Sequence, residues 1–196
     1  EKKRLQSPKT KRVLNATGVV IHTNLGRAPI PESVFDAMKE TLSGYTNLEM
    51  SLESGKRGGR IRGVTDRLCA LVGAQDAIVV NNNAAAILLA ISATSQGGDV
   101  VVSRGELVEI GGSFRVPDII ETGGARLVEV GTTNRTRVGD YASGIGENTK
   151  SLLRVHSSNF SIIGFTEQPK RTELAQLARK HEIPLIEDLG SGLLGK

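Results

Sequence analysis

The segment IPLIEDLGSG, residues 183–192, contains the pattern that decides the fold class. Its apolar run predicts a strand over 184–188 that delivers Asp188 at its end, and a Gly-Ser-Gly turn follows. Glycine lets another group approach the backbone closely, and open parallel sheets bind ligands at the carboxyl ends of their strands. A carboxylate there can pair with a protonated ring nitrogen of a cofactor, although an Asp that caps the next turn gives the same pattern.

Upstream of this segment, strands and helices alternate from Thr65 onward. Apolar runs predict strands over 77–80, 99–103, 125–130, 150–155 and 184–188. Helical spacing predicts helices over 65–72, 84–94, about 140–145 and 172–181, with an earlier amphipathic helix between Pro31 and Gly44. Nearly continuous apolar strands alternating with helices are typical of a mostly parallel sheet with helices on both faces, so the fold class is α/β.

A second ligand-binding pattern lies in IVVNNNAAAILLA, residues 78–90. Three asparagines follow the strand predicted over 77–80, and three alanines open an apolar helix. Free N–H groups and the positive end of a helix can together hold a phosphate. The segment lacks both GxxxxGK[ST] and GxGxxG, so it is neither a P-loop nor a dinucleotide fingerprint. Asparagines that only cap the helix are an equally good interpretation of this pattern.

Composition and charge narrow the possible classes of protein. A chain of 196 residues with 38% apolar content can bury one core. The sequence contains no apolar run of about 18 residues, and its first residues lack the apolar segment of a secretory signal. It therefore predicts neither a membrane span nor export. Cys69 is the one cysteine, which excludes an internal disulfide and predicts a buried apolar position on a helix.

The positive charge is concentrated at the start of the chain. Residues 1–12 carry six basic residues and one acidic residue, a net charge of +5, so the remainder sums to −1 of the chain's +4. Such a segment can contact nucleic-acid phosphates, although a solvated linker has the same composition. We therefore divide the chain into a basic linker or tail (1–12), an N-terminal segment with a helix and Arg/Gly-rich loops (13–64) and an α/β domain (65–196).

Seven segments, taken in order, resemble the signature blocks of the bacterial L-seryl-tRNA(Sec) selenium transferase family. They are NATGVVIHTNLGRAP, SGKRGGR, VVNNNAAA, VSRGELVEIGGSFRVPDI, VGTTNRT, HSSNFSIIGF and EDLGSG, and they span nearly all of residues 12–194. The resemblance implies an aspartate-aminotransferase-like (type I) pyridoxal-phosphate fold, with this chain forming part of its large domain. It also implies a cytoplasmic enzyme that converts seryl-tRNA(Sec) into selenocysteinyl-tRNA(Sec) with selenophosphate and assembles as a ring of dimers.

The resemblance also implies roles for individual residues. The cofactor phosphate would be held by Asn82, Asn83, Ala84 and Ala85. Asp188 would pair with the pyridine nitrogen, and Asn159 would donate to the phenolate oxygen. His156 would take part in proton transfer, and Glu106 or Leu107 stands where relatives stack a ring on the cofactor. No metal site is expected.

Arginine-rich loops are the candidates for binding an anionic substrate. Arg27, Arg57 and Arg60 stand in glycine-rich segments, where guanidinium groups suit selenophosphate or a tRNA phosphate. A solvated surface loop is the alternative. The family's Schiff-base lysine normally lies a few dozen residues beyond the Asp that Asp188 matches, so we expect it outside this sequence and expect Lys196 to be a surface lysine.

Two other functions remain open from the sequence alone. One is a related pyridoxal-phosphate lyase acting on a small amino acid or amino sugar, since such enzymes share the phosphate loop and the Asp. The joint presence of RGELVEIGGSFR, GTTNRT and HSSNF favours the tRNA enzyme. The other is a noncatalytic α/β module for oligomerisation or nucleic-acid binding, which the absence of the cofactor lysine and the basic start would support.

Overall fold

The computed structural model describes residues 10–110 and 114–190. The expectations for most of the basic start (residues 1–9), for the end of the Gly-Ser-Gly turn and for Lys196 lie outside the described residues. The chain divides into two compact units, Glu1–Arg60 and Ile61–Lys196. Each unit is described separately below.

The first unit contains a 3-10 turn, Thr23–Leu25, and helix α1, Glu32–Leu42. Pro31 is the N-cap of α1, which confirms the helix predicted after this proline. An antiparallel bridge pairs Met50 with Arg57. None of the residues described in this unit is buried, so its stability within the described structure does not come from a core of its own.

The second unit contains the α/β fold. Its helices are α2 (Arg62–Val72), α3 (Asn83–Thr94), α4 (Val116–Thr122), α5 (Val138–Gly144) and α6 (Arg171–Lys180). Its strands are β1 (Asp99–Ser103), β2 (Glu109–Ile110), β3 (Phe114–Arg115), β4 (Arg126–Val130), β5 (Thr149–Val155) and β6 (Leu185–Asp188). Four strands form a sheet in the order β4-β1-β5-β6, and every neighbouring pair in it is parallel. β2 and β3 form a separate antiparallel pair.

The sheet buries both of its faces, as the apolar strands predict. Along β1, Val100 and Val102 pack with Ile91 of α3 and Ile120 of α4. The intervening Val101 points to the opposite face because side chains alternate along a strand. There it joins a cluster formed with α5 and α6, whose members include Tyr141, Leu152, Leu174 and Leu177. The mostly parallel sheet with helices on both faces is therefore confirmed.

One predicted strand is absent from the described structure. Residues 77–80 have no assigned secondary structure and pair with no described strand. The side chains of Ile78 and Val79 are 63% and 51% exposed. An apolar run indicates that a segment suits a sheet, but a strand also requires a hydrogen-bonded neighbour, and no described residue supplies one here. The prediction of a strand over 77–80 is therefore wrong for the described residues.

Candidate active site

A cavity of about 520 Å³ opens at the carboxyl ends of β5 and β6. Asp188 ends β6, and His156 follows β5; both line the cavity. The wall also carries Glu106, Arg154 and Glu187. Open parallel sheets bind ligands at this edge because the loops leaving their strands diverge there. The cavity is thus the best candidate for an active site in the second unit.

Asp188 is joined to the start of α3 by a side-chain hydrogen bond. The amide nitrogen Nδ2 of Asn83 lies 3.0 Å from Oδ2 and 3.2 Å from Oδ1 of Asp188. The backbone N–H of Gly190 also donates to Oδ1, at 2.8 Å. Asp188 is only 5% exposed, so these donors stabilise a carboxylate that has lost most of its water. The structure thereby brings together two predicted site residues that are 105 positions apart.

The start of α3 is capped and still retains donors for an anion. Oδ1 of Asn82 accepts a hydrogen bond from the N–H of Ala85 at 2.8 Å, and the backbone carbonyl of Asn82 accepts one from the N–H of Ala86 at 3.1 Å. Within the described structure, the N–H groups of Asn83 and Ala84 have no acceptor. They lie at the positive end of a 12-residue helix. The capping interpretation and the phosphate-binding interpretation are therefore compatible, because different N–H groups serve each.

His156 and Ser158 lie beside the turn that follows Asp188. The N–H of His156 donates to the Asp188 carbonyl at 3.0 Å, which continues the pairing of β5 and β6 by one bond. Gly190 has a φ of +61°, and a Cβ atom built on it would lie 3.2 Å from Cβ of Ser158 and 3.4 Å from Nδ1 of His156. Glycine at this position therefore allows both the left-handed backbone and the close approach.

Glu106 is a buried carboxyl group in the wall of the cavity. Its side chain is 2% exposed, and its Oε2 accepts from the N–H of Val155 at 3.2 Å and from the hydroxyl of Tyr141 at 3.3 Å. Burial raises the pKa of Glu106 to about 7, against the lowering effects of these hydrogen bonds and of Arg154. Leu107 packs against the core. The cofactor-stacking role expected at Glu106 or Leu107 stays a prediction.

Asn159 is held outside the cavity wall. Its Nδ2 donates to the carbonyl of Glu109 at 2.9 Å, and its side chain is exposed. The cavity is lined instead by its neighbours Ser157 and Phe160. One of the two amide hydrogens of Asn159 is thus in use, and donation to a cofactor oxygen stays a prediction.

The arginines proposed for anion binding belong to the first unit. Arg57 and Arg60 both pair with Glu49: Nη2 of Arg57 lies 2.9 Å from Oε2, and Nε of Arg60 lies 2.7 Å from Oε1. The two guanidinium groups, led by that of Arg60, lower the pKa of Glu49. Arg27 has a left-handed backbone with a φ of 63°. The structure therefore brings Arg57 and Arg60 together on one carboxylate, and the anion-binding role stays a prediction.

Sequence reasoning missed a charged network along the cavity. Nη1 of Arg154 lies 2.7 Å from Oε1 of Glu187, and Nε of Arg171 lies 2.7 Å from Oε2 of the same carboxylate. Arg154 interrupts the otherwise apolar end of the strand KSLLRV, and that interruption was the signal available in the sequence. A charged residue in a buried strand requires a partner, which Glu187 provides.

The described residues contain neither a candidate metal-binding cluster nor a helix that could span a membrane. No cluster of three or more His, Cys, Asp or Glu side chains there is placed to hold a metal ion. No helix in the same residues has the length and apolar character that crossing a membrane requires.

Comparison with known proteins now identifies the family. The SelA family, described as L-seryl-tRNA selenium transferase, matches residues 13–196. The chain belongs to the L-seryl-tRNA selenium transferase family. It is 56% identical over 184 residues to the L-seryl-tRNA(Sec) selenium transferase of Geobacter metallireducens, a match that covers 94% of this chain and 40% of that protein. The chain thus spans about two fifths of the length of the curated relatives it matches.

Solved structures support the fold expected for this selenium transferase family. A D-glucosaminate-6-phosphate ammonia-lyase aligns with a TM-score of 0.68 and 25% identity, covering 87% of this chain and 47% of that one. A Thermus thermophilus aspartate aminotransferase aligns with a TM-score of 0.53 and 21% identity, covering 80% and 41%. The aspartate-aminotransferase-like fold is therefore confirmed. Membership of this family supports pyridoxal phosphate as the expected cofactor.

Proposed function

We propose that this chain forms part of an enzyme that transfers selenium from selenophosphate to seryl-tRNA(Sec) and produces selenocysteinyl-tRNA(Sec). The observation that carries the proposal is the hydrogen bond between Asn83 and Asp188, beside His156 at the carboxyl ends of the strands. This hydrogen bond joins the start of α3, which suits a phosphate, to the buried carboxylate of Asp188, which suits a protonated ring nitrogen. A phosphorylated cofactor with such a ring requires both groups. The high identity to named selenium transferases supports the choice of reaction.

The residues present fit pyridoxal phosphate. The N–H groups of Asn83 and Ala84, which have no acceptor among the described residues, suit its phosphate. Asn82 shapes the turn, and Ala85 completes the first turn of the helix. The carboxylate of Asp188 suits its pyridine nitrogen. When bound, the cofactor supplies an electron sink for a carbanion at the α-carbon of the seryl group.

The chain's own residues have distinct parts in this proposal. Asp188 holds positive charge on the ring nitrogen, and Asn83 fixes the direction of that carboxylate. His156 stands next to Asp188 and is the candidate for holding or moving a proton in the cavity. Arg27, Arg57 and Arg60 bind the anionic substrate through planar guanidinium groups.

We further propose the wider setting that the family resemblance implies. Residues 65–196 form part of the cofactor-binding domain, 13–64 an N-terminal segment and 1–12 a basic linker. The complete enzyme is a homo-oligomer built of dimers, and its tRNA substrate places it in the cytoplasm.

A second candidate function is supported by one observation. The ammonia-lyase structure aligns at a TM-score of 0.68 over 87% of this chain. A lyase acting on a phosphorylated amino sugar would use the same helix start and carboxylate. Its substrate is small, so it would need no contact with tRNA.

A side-by-side assay separates the two candidates. A full-length protein carrying this sequence is supplied with pyridoxal phosphate and then with either seryl-tRNA(Sec) plus selenophosphate or a 6-phosphorylated amino sugar acid. We expect selenium on the tRNA and no ammonia from the sugar. Ammonia release without selenium transfer would reject the proposed function in favour of the lyase.

A further inference from the structure

Among the described residues, the end of β5 has a strand neighbour on one side and none on the other. β1 pairs with β5 as far as Val102 and Leu153, and then the chain leaves the sheet through a 3-10 turn, Arg104–Glu106. On the other side, β6 continues to pair with Val155 through Asp188. Within the described part of the chain, the last residues of β5 therefore have no backbone partner on the side of β1, at the point where the strand enters the candidate active site.

The side chain of Glu106 replaces this missing backbone partner. The 3-10 turn brings its carboxyl group back to β5, where Oε2 accepts the N–H of Val155 at 3.2 Å. A backbone carbonyl would accept this bond in a continued ladder. Val155 is paired with Asp188 and is followed directly by His156. One hydrogen bond, donated by the N–H of Val155 to Glu106, thus holds the strand end on which two candidate site residues depend.

Tyr141 connects the same carboxyl group to the core. Its fully buried hydroxyl accepts from the N–H of Ser103 at 3.1 Å and lies 3.3 Å from Oε2 of Glu106 and 3.4 Å from the carbonyl of Leu153. A phenol has one hydrogen and donates it to one of these two acceptors at a time. An ionised carboxylate is the stronger acceptor, so loss or gain of a proton at Glu106 changes which group Tyr141 holds.

We propose that Glu106 is a positioning residue of the active site, whose carboxyl group fixes the end of β5 and thereby the placement of His156 and Asp188. This inference rests on the proposed function for its catalytic consequence, although the strand contact itself does not. The role differs from the stacking on a cofactor that family resemblance suggests, because Glu106 acts here through Val155 and Tyr141.

Charged and hydrogen-bonding groups on β5, β6 and α5 surround Glu106. Arg154 on β5 favours its ionised form, whereas Glu187 on β6 opposes ionisation. Tyr141 on α5 hydrogen-bonds to it, and His156 and Asp188 share the cavity wall. With burial as the largest effect, the pKa of Glu106 rises to about 7. Ionisation of Glu106 therefore falls in the neutral pH range.

Three variants of a full-length protein carrying this sequence test the proposal. Glu106→Gln retains a carbonyl oxygen for the N–H of Val155, Glu106→Ala removes it, and Glu121→Gln is an exposed control on α4. We expect Glu106→Ala to lower kcat for selenium transfer roughly 10- to 100-fold with KM little changed, as small misplacements of reacting groups do. Glu106→Gln should recover most of kcat, and it should lack the inflection near pH 7 that we expect ionisation of Glu106 to cause in the unaltered protein.

Hydrogen exchange over residues 153–157 gives a readout that needs no turnover. Glu106→Ala should speed hydrogen exchange in this segment. Glu106→Gln and the control Glu121→Gln should exchange at the rate of the unaltered protein. Normal hydrogen exchange and normal kcat in Glu106→Ala would overturn the proposal. The proposal would also be overturned if Glu106→Gln were as impaired as Glu106→Ala at every pH. If Glu106→Ala does not fold, the hydrogen exchange and the pH profile of Glu106→Gln test the proposal instead. An unaltered protein that transfers no selenium rejects the proposed function, and exchange still decides the positioning role.

Discussion

The side-chain amide of Asn83 lies 3.0 Å from Oδ2 of Asp188, which fixes the carboxylate that ends β6 against the start of α3. Its neighbour Asn82 faces the helix instead and caps the N–H of Ala85. Two adjacent asparagines thus have separable roles, one in the site and one in the helix.

Substitution of each asparagine should separate these roles. Asn83→Ala removes a donor from a buried carboxylate, so we expect weaker pyridoxal-phosphate binding and lower kcat in a full-length protein. Asn82→Ala should lower the free energy of unfolding by about 1 kcal/mol, the usual effect of losing an N-cap. Cofactor titration and thermal unfolding of both variants measure this. Equal loss of cofactor affinity in the two would contradict the division of roles.

Gly190 offers a second matched pair. Gly190 and Gly97 both have positive φ, +61° and +75°, but only a Cβ at 190 would meet His156 and Ser158; at 97 it meets nothing within 4 Å. We expect Gly190→Ala and Gly97→Ala each to lower the free energy of unfolding by about 1–2 kcal/mol through backbone strain. Only Gly190→Ala should also impair activity. Normal kcat in Gly190→Ala would show that the close approach does not matter to the site.

The buried Glu106 predicts how stability depends on pH. Its folded-state pKa of about 7 exceeds the ordinary value of 4.5, so the folded state binds more protons between these values. The free energy of unfolding should therefore fall as pH rises from about 4.5 to 7, by up to about 3 kcal/mol. Glu106→Gln cannot ionise and should lack this fall. Unfolding curves at several pH values compare the two proteins, and parallel pH profiles would disprove the assignment.

Arg60 and Glu49 allow a test of the anion-binding loop. Arg60→Ala should lower the affinity for selenophosphate in selenium transfer. The free energy of unfolding should change by no more than about 0.5 kcal/mol. Glu49→Gln releases Arg57 and Arg60 from their carboxylate partner, so donor affinity should be kept or increased. Titrations at fixed ionic strength measure both. If Arg60→Lys has full affinity for selenophosphate, a positive charge is sufficient at this position and the specific guanidinium contact is rejected.

Local sequence patterns predicted strands and helices well where the core contains the elements that pair or pack with them. DVVVS became β1, with all five residues buried and strands on both sides. The apolar run 77–80 has the same character but no described neighbour, because pairing depends on residues elsewhere in the chain. Asp188 was identified from the position of a carboxylate after a strand, while its contact with Asn83 depends on the sheet topology.

The sequence could not predict the environment of charged residues. Glu106 belongs to a residue type that is normally exposed, and its burial follows from the 3-10 turn that returns it to β5. Arg154 and Glu187 lie side by side because β5 and β6 pair in that register. Arg57 and Arg60 were predicted to bind an anionic substrate, and the structure shows that Glu49 accepts hydrogen bonds from both. Each of these contacts depends on tertiary placement, which residue type and spacing do not specify.

The most direct test of the account is selenium transfer with Asp188 altered. A full-length protein carrying this sequence is incubated with pyridoxal phosphate, seryl-tRNA(Sec) and radiolabelled selenophosphate, and the label on the tRNA is counted. Asp118→Ala, an exposed aspartate on α4, serves as the control. We predict labelled tRNA with the unaltered protein and the control, and loss of label with Asp188→Ala at unchanged tRNA affinity. Undiminished labelling by Asp188→Ala, or none by the unaltered protein, would contradict the account.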